Sequence, residues 1–128
     1  MEPDAAVRVE DYRGLRVWQR AVDLVVLSYE LTKKFPTDEL YGLTAQIRRA
    51  AVSVPANIAE GNGRQHLGDY IQHLSIANGS LKELETHFHV AGRLGYLTPE
   101  QLGTVFDLSG EVGRMLTALM QKLRTKRG

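Results

Sequence analysis

The sequence predicts an all-α fold, an antiparallel up-and-down four-helix bundle, on three observations. Apolar residues recur at spacings of three and four in four separate stretches, short proline- or glycine-bearing breaks divide those stretches, and no segment alternates with the period of two that a strand needs. Short connections between helices of similar length favour antiparallel neighbours.

The first helix is expected near residues 15–35. Leu15, Trp18, Val22, Val25 and Tyr29 form one stripe, with Leu24, Leu31 and Phe35 beside it, and Pro36 closes the helix. Beyond the break at Phe35-Pro36-Thr37, the positions Leu43, Ile47, Ala50, Ala51, Val54 and Ile58 define a second helix near 39–61, stopped by Gly61-Asn62-Gly63. Leu67, Tyr70, Leu74, Ala77, Leu81, Leu84, Phe88 and Ala91 make the seam of a long third helix near 66–94. The Asn78-Gly79 pair signals a hairpin elsewhere, but the apolar phase runs through it unbroken, so it reads as a weak point within the helix. A fourth helix near 98–125 carries the best local start signal: Thr98 caps, Pro99 suits the first turn, and Gln101 returns the bond as a capping box. Leu102, Val105, Ser109, Val112, Leu116, Leu119 and Leu123 continue in heptad rhythm.

Composition narrows the function classes. With 128 residues and 43% hydrophobic content the chain fits one domain. The absence of cysteine removes disulfides, thiolate nucleophiles and cysteine-ligated zinc or iron-sulfur sites. No apolar run approaches the roughly 20 residues of a membrane span. The start MEPDAAVRVED lacks the basic and apolar regions of a signal peptide. A cytoplasmic protein without membrane contact is expected. Sixteen basic residues against fifteen acidic leave a formal charge of +1, so the overall field gives no argument for nucleic acid. Charge is uneven locally. Residues 1–11 form an acidic segment outside the bundle, with Glu2, Asp4, Glu10 and Asp11, whose order the sequence leaves open; the other end carries Lys122, Arg124, Lys126 and Arg127. Terminal charge runs are most often solvated ends.

The second helix has two faces. With Ile47 at the centre of the core side, Ala45, Val52, Ala56 and Ala59 fall on roughly the opposite side, where an ordinary surface helix is charged. Small residues there let another helix approach, which predicts self-association; the competing reading makes this the most buried helix of a monomer. Arg49 and Glu60 lie near this face, and Gln46, Ser53 and Asn57 flank it. Pro55 removes the bond to the Ala51 carbonyl, and a kink there would shift the phase of the later turns. Asn57 is placed to satisfy that carbonyl or to bond a neighbouring helix; Pro55 and Asn57 are both assigned structural roles.

The run Gln46 to Gly61, QIRRAAVSVPANIAEG, resembles the signature of the four-helix-bundle proteins encoded by intervening sequences in bacterial 23S rRNA genes. Val17-Trp18-Gln19 with Ala21, Phe35-Pro36, Tyr41-Gly42-Leu43-Thr44, and Ile76-Ala77-Asn78-Gly79-Ser80 with Glu83, Glu85 and Thr86 extend the resemblance over roughly residues 12–125. It implies a bundle that assembles as a ring-shaped homo-oligomer, a homopentamer, with no established enzymatic activity and no cofactor. The family is similar in turn to the pentameric accessory protein of diversity-generating retroelements, a basic barrel that binds nucleic acid and a reverse transcriptase. This chain is nearly neutral where that protein is basic.

Two function classes are open to such a chain. In the first, a nucleic-acid-binding accessory oligomer contacts RNA or DNA phosphates through Arg48, Arg49 and Arg64, joined by Lys122, Arg124, Lys126 and Arg127, because a ring repeats each cation around its axis. In the second, a protein-interaction scaffold uses Arg49 and Arg48 in ion pairs with Glu60, Glu83 or Glu85, Glu60 also bordering the interface. A metal-dependent enzyme is a distant third. His66, Asp69 and His73 share a helix face, but no third strong ligand accompanies them, and they read as an exposed polar stripe. Gly61-Asn62-Gly63 lacks the strand before it and the Lys-Ser/Thr after it that a phosphate loop requires. A non-enzyme without metal or cofactor is expected.

Overall fold

The structure is a computed structural model describing residues 11–127. Apart from Asp11, the acidic N-terminal segment therefore lies outside the described residues. Within them are four α-helices and no strand: α1 (Arg16–Thr32), α2 (Leu43–Asn62), α3 (Leu67–Arg93) and α4 (Pro99–Arg127), with single 3-10 turns at Tyr12–Gly14 and Thr37–Glu39. Each helix packs on the next and α4 returns to α1, the pattern of an up-and-down bundle. Hydrogen bonds pair Ser53 with Ser80, Asn57 with His73 and Asn62 with Tyr70, so position rises along α2 as it falls along α3, an antiparallel pair.

The core follows the expected seams of α2, α3 and α4 except near helix ends, where Ile71 is buried rather than Leu67 and Tyr70, Met120 rather than Leu119, and Leu102 is half-buried. Ile47, Ile58, Leu74, Leu81, Val105, Val112 and Leu116 have no exposed surface, and Phe88 is 1% exposed. Burying each large apolar side chain contributes about 1.5–3 kcal/mol. Burial in α2 steps through Ile47, Ala50, Ala51, Val54, Pro55, Ile58 and Gly61 without a change of phase, so Pro55 does not rotate the second half of the helix.

The core stripe of α1 differs from the expected one. Its buried positions are Val17, Ala21, Leu24, Ser28 and Thr32, whereas Trp18, Val22 and Val25 are half-buried and Tyr29 is exposed. Two of the five are polar and vanish from an apolar count. Their hydroxyls are satisfied within the helix, Ser28 Oγ donating to the Leu24 carbonyl at 2.8 Å and Thr32 Oγ1 to the Ser28 carbonyl at 2.8 Å, so both can be buried at low cost. The helix also ends at Thr32, three residues short of Phe35. Phe35 instead anchors the connection, its ring 5.2 Å from that of Tyr96. The second helix starts at Leu43 rather than 39 because residues 37–39 form a 3-10 turn, from which Glu39 Oε1 accepts the first helical N–H, that of Leu43, at 3.0 Å.

The other boundaries rest on caps. Leu94 ends α3, Gly95 takes a φ of +80°, and Tyr96 N–H and Gly95 N–H donate to the Ala91 and Gly92 carbonyls, a Schellman closure. At the start of α4, Thr98 N–H donates to Gln101 Oε1 at 2.9 Å and Gln101 N–H to Thr98 Oγ1 at 3.1 Å, the capping box expected from the sequence. The bundle is latched between α1 and α4 by Arg20, whose Nε and Nη2 reach the two Glu111 oxygens at 3.1 and 2.9 Å. This fork holds the Glu111 carboxyl below the usual carboxylate range.

Candidate functional site

The seven cations singled out by sequence divide among three places. Arg64 comes just after α2, and Lys122, Arg124, Lys126 and Arg127 occupy the last turns of α4. Antiparallel packing puts these two segments at one end of the bundle. The Arg127 guanidinium lies against Gly68 in the first turn of α3, 3.5 Å from where a Cβ would stand. Arg13 and Arg16, at the N-terminal end of α1, share this end. Among the described residues the carboxylates there are Asp11, bound to Arg13 at 2.7 Å, Glu60, bound to Arg64 at 3.0 Å, and the exposed Asp69 in the first turn of α3. The Arg13 fork holds the Asp11 carboxyl down at about 2. Lys122, Arg124, Lys126 and Arg127 are exposed and have no ion-pair partner among the described residues. The Arg64–Glu60 pair is exposed as well, and such pairs hold their partners weakly.

Arg48 stands about 24 Å away along α2, at 1.5 Å per residue. It makes none of the expected pairs with Glu60, Glu83 or Glu85. Those acids are occupied by Arg64, by His87 at 3.4 Å, and by Lys82 and Ser109 at 3.3 and 2.8 Å. Arg48 instead points to α1, its Nε donating to Thr32 Oγ1 at 3.0 Å and its guanidinium 4.5 Å above the Tyr29 ring. It borders a pocket of about 290 Å³ at the α1–α2 corner, with Lys33, Thr37, Leu40 and Thr44. Arg49 is exposed and unpaired among the described residues.

Histidine 73 is half-buried, not part of an exposed stripe. Its Nδ1 lies 3.1 Å from Asn57 Oδ1, and Asn57 Nδ2 donates to the Ser53 carbonyl and hydroxyl at 2.9 and 3.0 Å. Asn57 thus bonds across to α3 and leaves the carbonyl freed by Pro55 alone. His66 sits before α3 in extended backbone, and no group of three metal-ligating side chains converges among the described residues.

The far side of α2 is open. Val52 is 43% exposed, Ala56 is exposed, Ala45 and Ala59 are half-exposed, and Glu60 borders them in solvent. Sequence reasoning overlooked the partner of this face on α3, Ile76, which is 43% exposed and lies on the same stripe as His73 and Ser80, the residues that bond to α2. It also overlooked the residues that orient Arg48. Thr32 and Tyr29 come from a different helix, and no local spacing announces that crossing.

No helix of the described residues is long and apolar enough to cross a membrane. No curated protein matches the chain. A crystal structure of a protein with unknown function from the S23 ribosomal protein family of Bacteroides thetaiotaomicron is similar to it, with a TM-score of 0.77 and 26% identity, covering 82% of this chain and 95% of that one. The family described as 23S rRNA-intervening sequence protein matches residues 13–118, a span that takes in all of α1, α2 and α3 and most of α4, and the chain belongs to that family.

Proposed function

We propose that the chain is a non-enzymatic, homo-oligomeric accessory protein that holds nucleic-acid phosphates at the basic end of its bundle. The observation that carries this reading is the placement of Arg64 and of Lys122, Arg124, Lys126 and Arg127 at the same end of the bundle, where exposed cations outnumber the carboxylates among the described residues. Cations at the C-terminal end of a helix also suit its dipole, a role open to Arg64 after α2 and to the final turn of α4, but Lys122 lies before that turn. Contacts of this kind position a phosphate backbone and carry little sequence information. Oligomerisation through Ala45, Val52, Ala56 and Ala59 repeats the cluster and steepens the local field.

The test is fluorescence anisotropy of labelled RNA and duplex DNA across a salt series, comparing wild type with Arg124→Gln/Arg127→Gln at matched oligomeric size. Wild-type affinity is expected to fall linearly in log-log with salt, and the variant to lower that slope by about 1–2. Absence of binding at low salt sinks the reading. It then favours a protein-interaction scaffold, for which there is a specific observation at the opposite end. Tyr41 is 91% exposed, with Leu40 at 47% and Leu94 at 53% beside the Glu39–Tyr96 hydrogen bond that ties their loops together.

A further inference from the structure

The pocket at the α1–α2 corner has the chemistry of a binding site that the basic end does not share. Arg48 is oriented before any ligand arrives, because Thr32 Oγ1 holds its Nε at 3.0 Å and the Tyr29 ring lies 4.5 Å beneath its guanidinium. Thr32 is fixed in turn, only 2% exposed and bonded to the Ser28 carbonyl. Both partners of Arg48 are neutral, and its terminal nitrogens have no hydrogen-bond partner among the described residues. A half-buried guanidinium without a carboxylate is an uncompensated charge whose free edge is a two-donor fork.

A second feature points into the same space. Thr44 is only 4% exposed, its hydroxyl bonds to no described residue, and the residue lines this same pocket. Thr37 adds a hydroxyl and Lys33 a second cation at the rim. Lys33 meets Glu30 at 3.2 Å in an exposed pair that yields easily. Glu39, on the adjoining turn, forms no ion pair with Arg48 or Lys33 among the described residues; its oxygens accept from Leu43 N–H and Tyr96 O–H at 3.0 Å each. The walls of Phe35, Pro36 and Leu40 are apolar.

We infer that this pocket binds a phosphate group attached to an organic body. The Arg48 fork takes two phosphate oxygens, the Thr44 and Thr37 hydroxyls donate to the oxygens the fork leaves, and Lys33 offsets the second negative charge of a monoester. The apolar wall receives the attached body, for which a volume of about 290 Å³ has room beyond the phosphate itself. A carboxylate offers two oxygens, both engaged by the fork, whereas a phosphate offers further oxygens outside that plane to the threonine hydroxyls. The inference does not rest on nucleic-acid binding at the basic end, and either can fail without the other.

The experiment is an NMR titration of the nitrogen-15-labelled full chain with inorganic phosphate, adenosine monophosphate and a short oligothymidylate. It tracks the Arg48 Nε–H signal and the Thr44 and Thr37 amides. Saturable shifts confined to these signals are expected with adenosine monophosphate, and weaker ones with phosphate. Arg48→Lys keeps the charge and loses the fork; Thr44→Val keeps the volume and loses the hydroxyl. Each is expected to weaken binding by about tenfold, the loss of one charge-assisted hydrogen bond, while helical content and oligomeric size stay unchanged. Because Thr44→Val leaves the Arg48–Thr32 bond intact, a folding defect in Arg48→Lys does not decide the matter alone. Shifts produced by oligothymidylate and not by the mononucleotide would assign the phosphate to a nucleic-acid strand. Shifts that fail to saturate with any probe, or that persist unchanged in Thr44→Val, overturn the inference.

Discussion

Gly61 shows how one residue serves a packing need that a local signal disguises. A Cβ at this position would lie 2.7 Å from His73 Cβ, 3.1 Å from Tyr70 Cδ1 and 3.2 Å from the Tyr70 carbonyl oxygen, so α3 must retreat before any side chain fits. Alanine has the better helix propensity by about 1 kcal/mol, which opposes the steric cost. Contact with His73 Cβ, which moves only with its backbone, and with the Tyr70 carbonyl outweighs it. Gly61→Ala is therefore expected to lower stability by about 1–3 kcal/mol, read as a reduced denaturant midpoint at unchanged slope; an unchanged midpoint would show that α3 moves away freely. Gly61-Asn62-Gly63 reads in the sequence as a helix stop, and α2 does end there, at Asn62 with Gly63 as its cap, but Gly61 itself serves a close approach to α3. The sequence marks Arg48 as a cation on α2 but does not disclose its partners. Glu60, Glu83 and Glu85 offer ion pairs in a reading from the sequence, whereas the crossing of α1 over α2 supplies a hydroxyl and a ring.

At the scale of the helix, the features read correctly from the sequence are those that depend on near neighbours. The Thr98–Gln101 capping box and the seam of α3 from Leu74 to Ala91 are relations of three and four residues, and both appear as expected. The stripe of α1 was misplaced because Ser28 and Thr32 hide their hydroxyls against the preceding turn, a use of polar residues that an apolar count cannot register. The Asn78-Gly79 pair is the instructive case between these. α3 passes through it unbroken, and a Cβ at Gly79 would meet nothing within 4 Å. Here glycine contributes only backbone freedom to the unfolded chain. Gly79→Ala is expected to raise stability by about 0.5–1 kcal/mol, the opposite sign to Gly61→Ala, in the same denaturation measurement. A loss of stability at Gly79 would mean that another copy of the chain covers the position in solution.

The assembly is the level at which one chain's geometry stops and its surface has to be read for what it invites. Val52 and Ile76 expose apolar area next to Ala45, Ala56 and Ala59, none of which carries a charge that would hold a second copy away. A stable contact needs about 800 Å² from each partner, more than these five side chains supply, so Arg49 and the neighbouring polar groups of α2 and α3 must share it. An arginine with no partner within the described residues of its own chain is then available to one on the next. Light scattering of the wild type is expected to give a mass near five times the 14.3 kDa of the chain. Ala56→Glu places a carboxylate at the centre of the face without touching the core, and is expected to give protomer mass with unchanged helical content. The same variant keeps Arg64, Lys122, Arg124, Lys126 and Arg127, so its behaviour with nucleic acid separates two causes of affinity. If repetition around a ring concentrates the charge, the protomer of near-neutral net charge binds far more weakly than the assembly and with a shallower salt slope. Equal affinity per chain in the dissociated variant would locate binding in the single bundle end and leave the ring without a part in it.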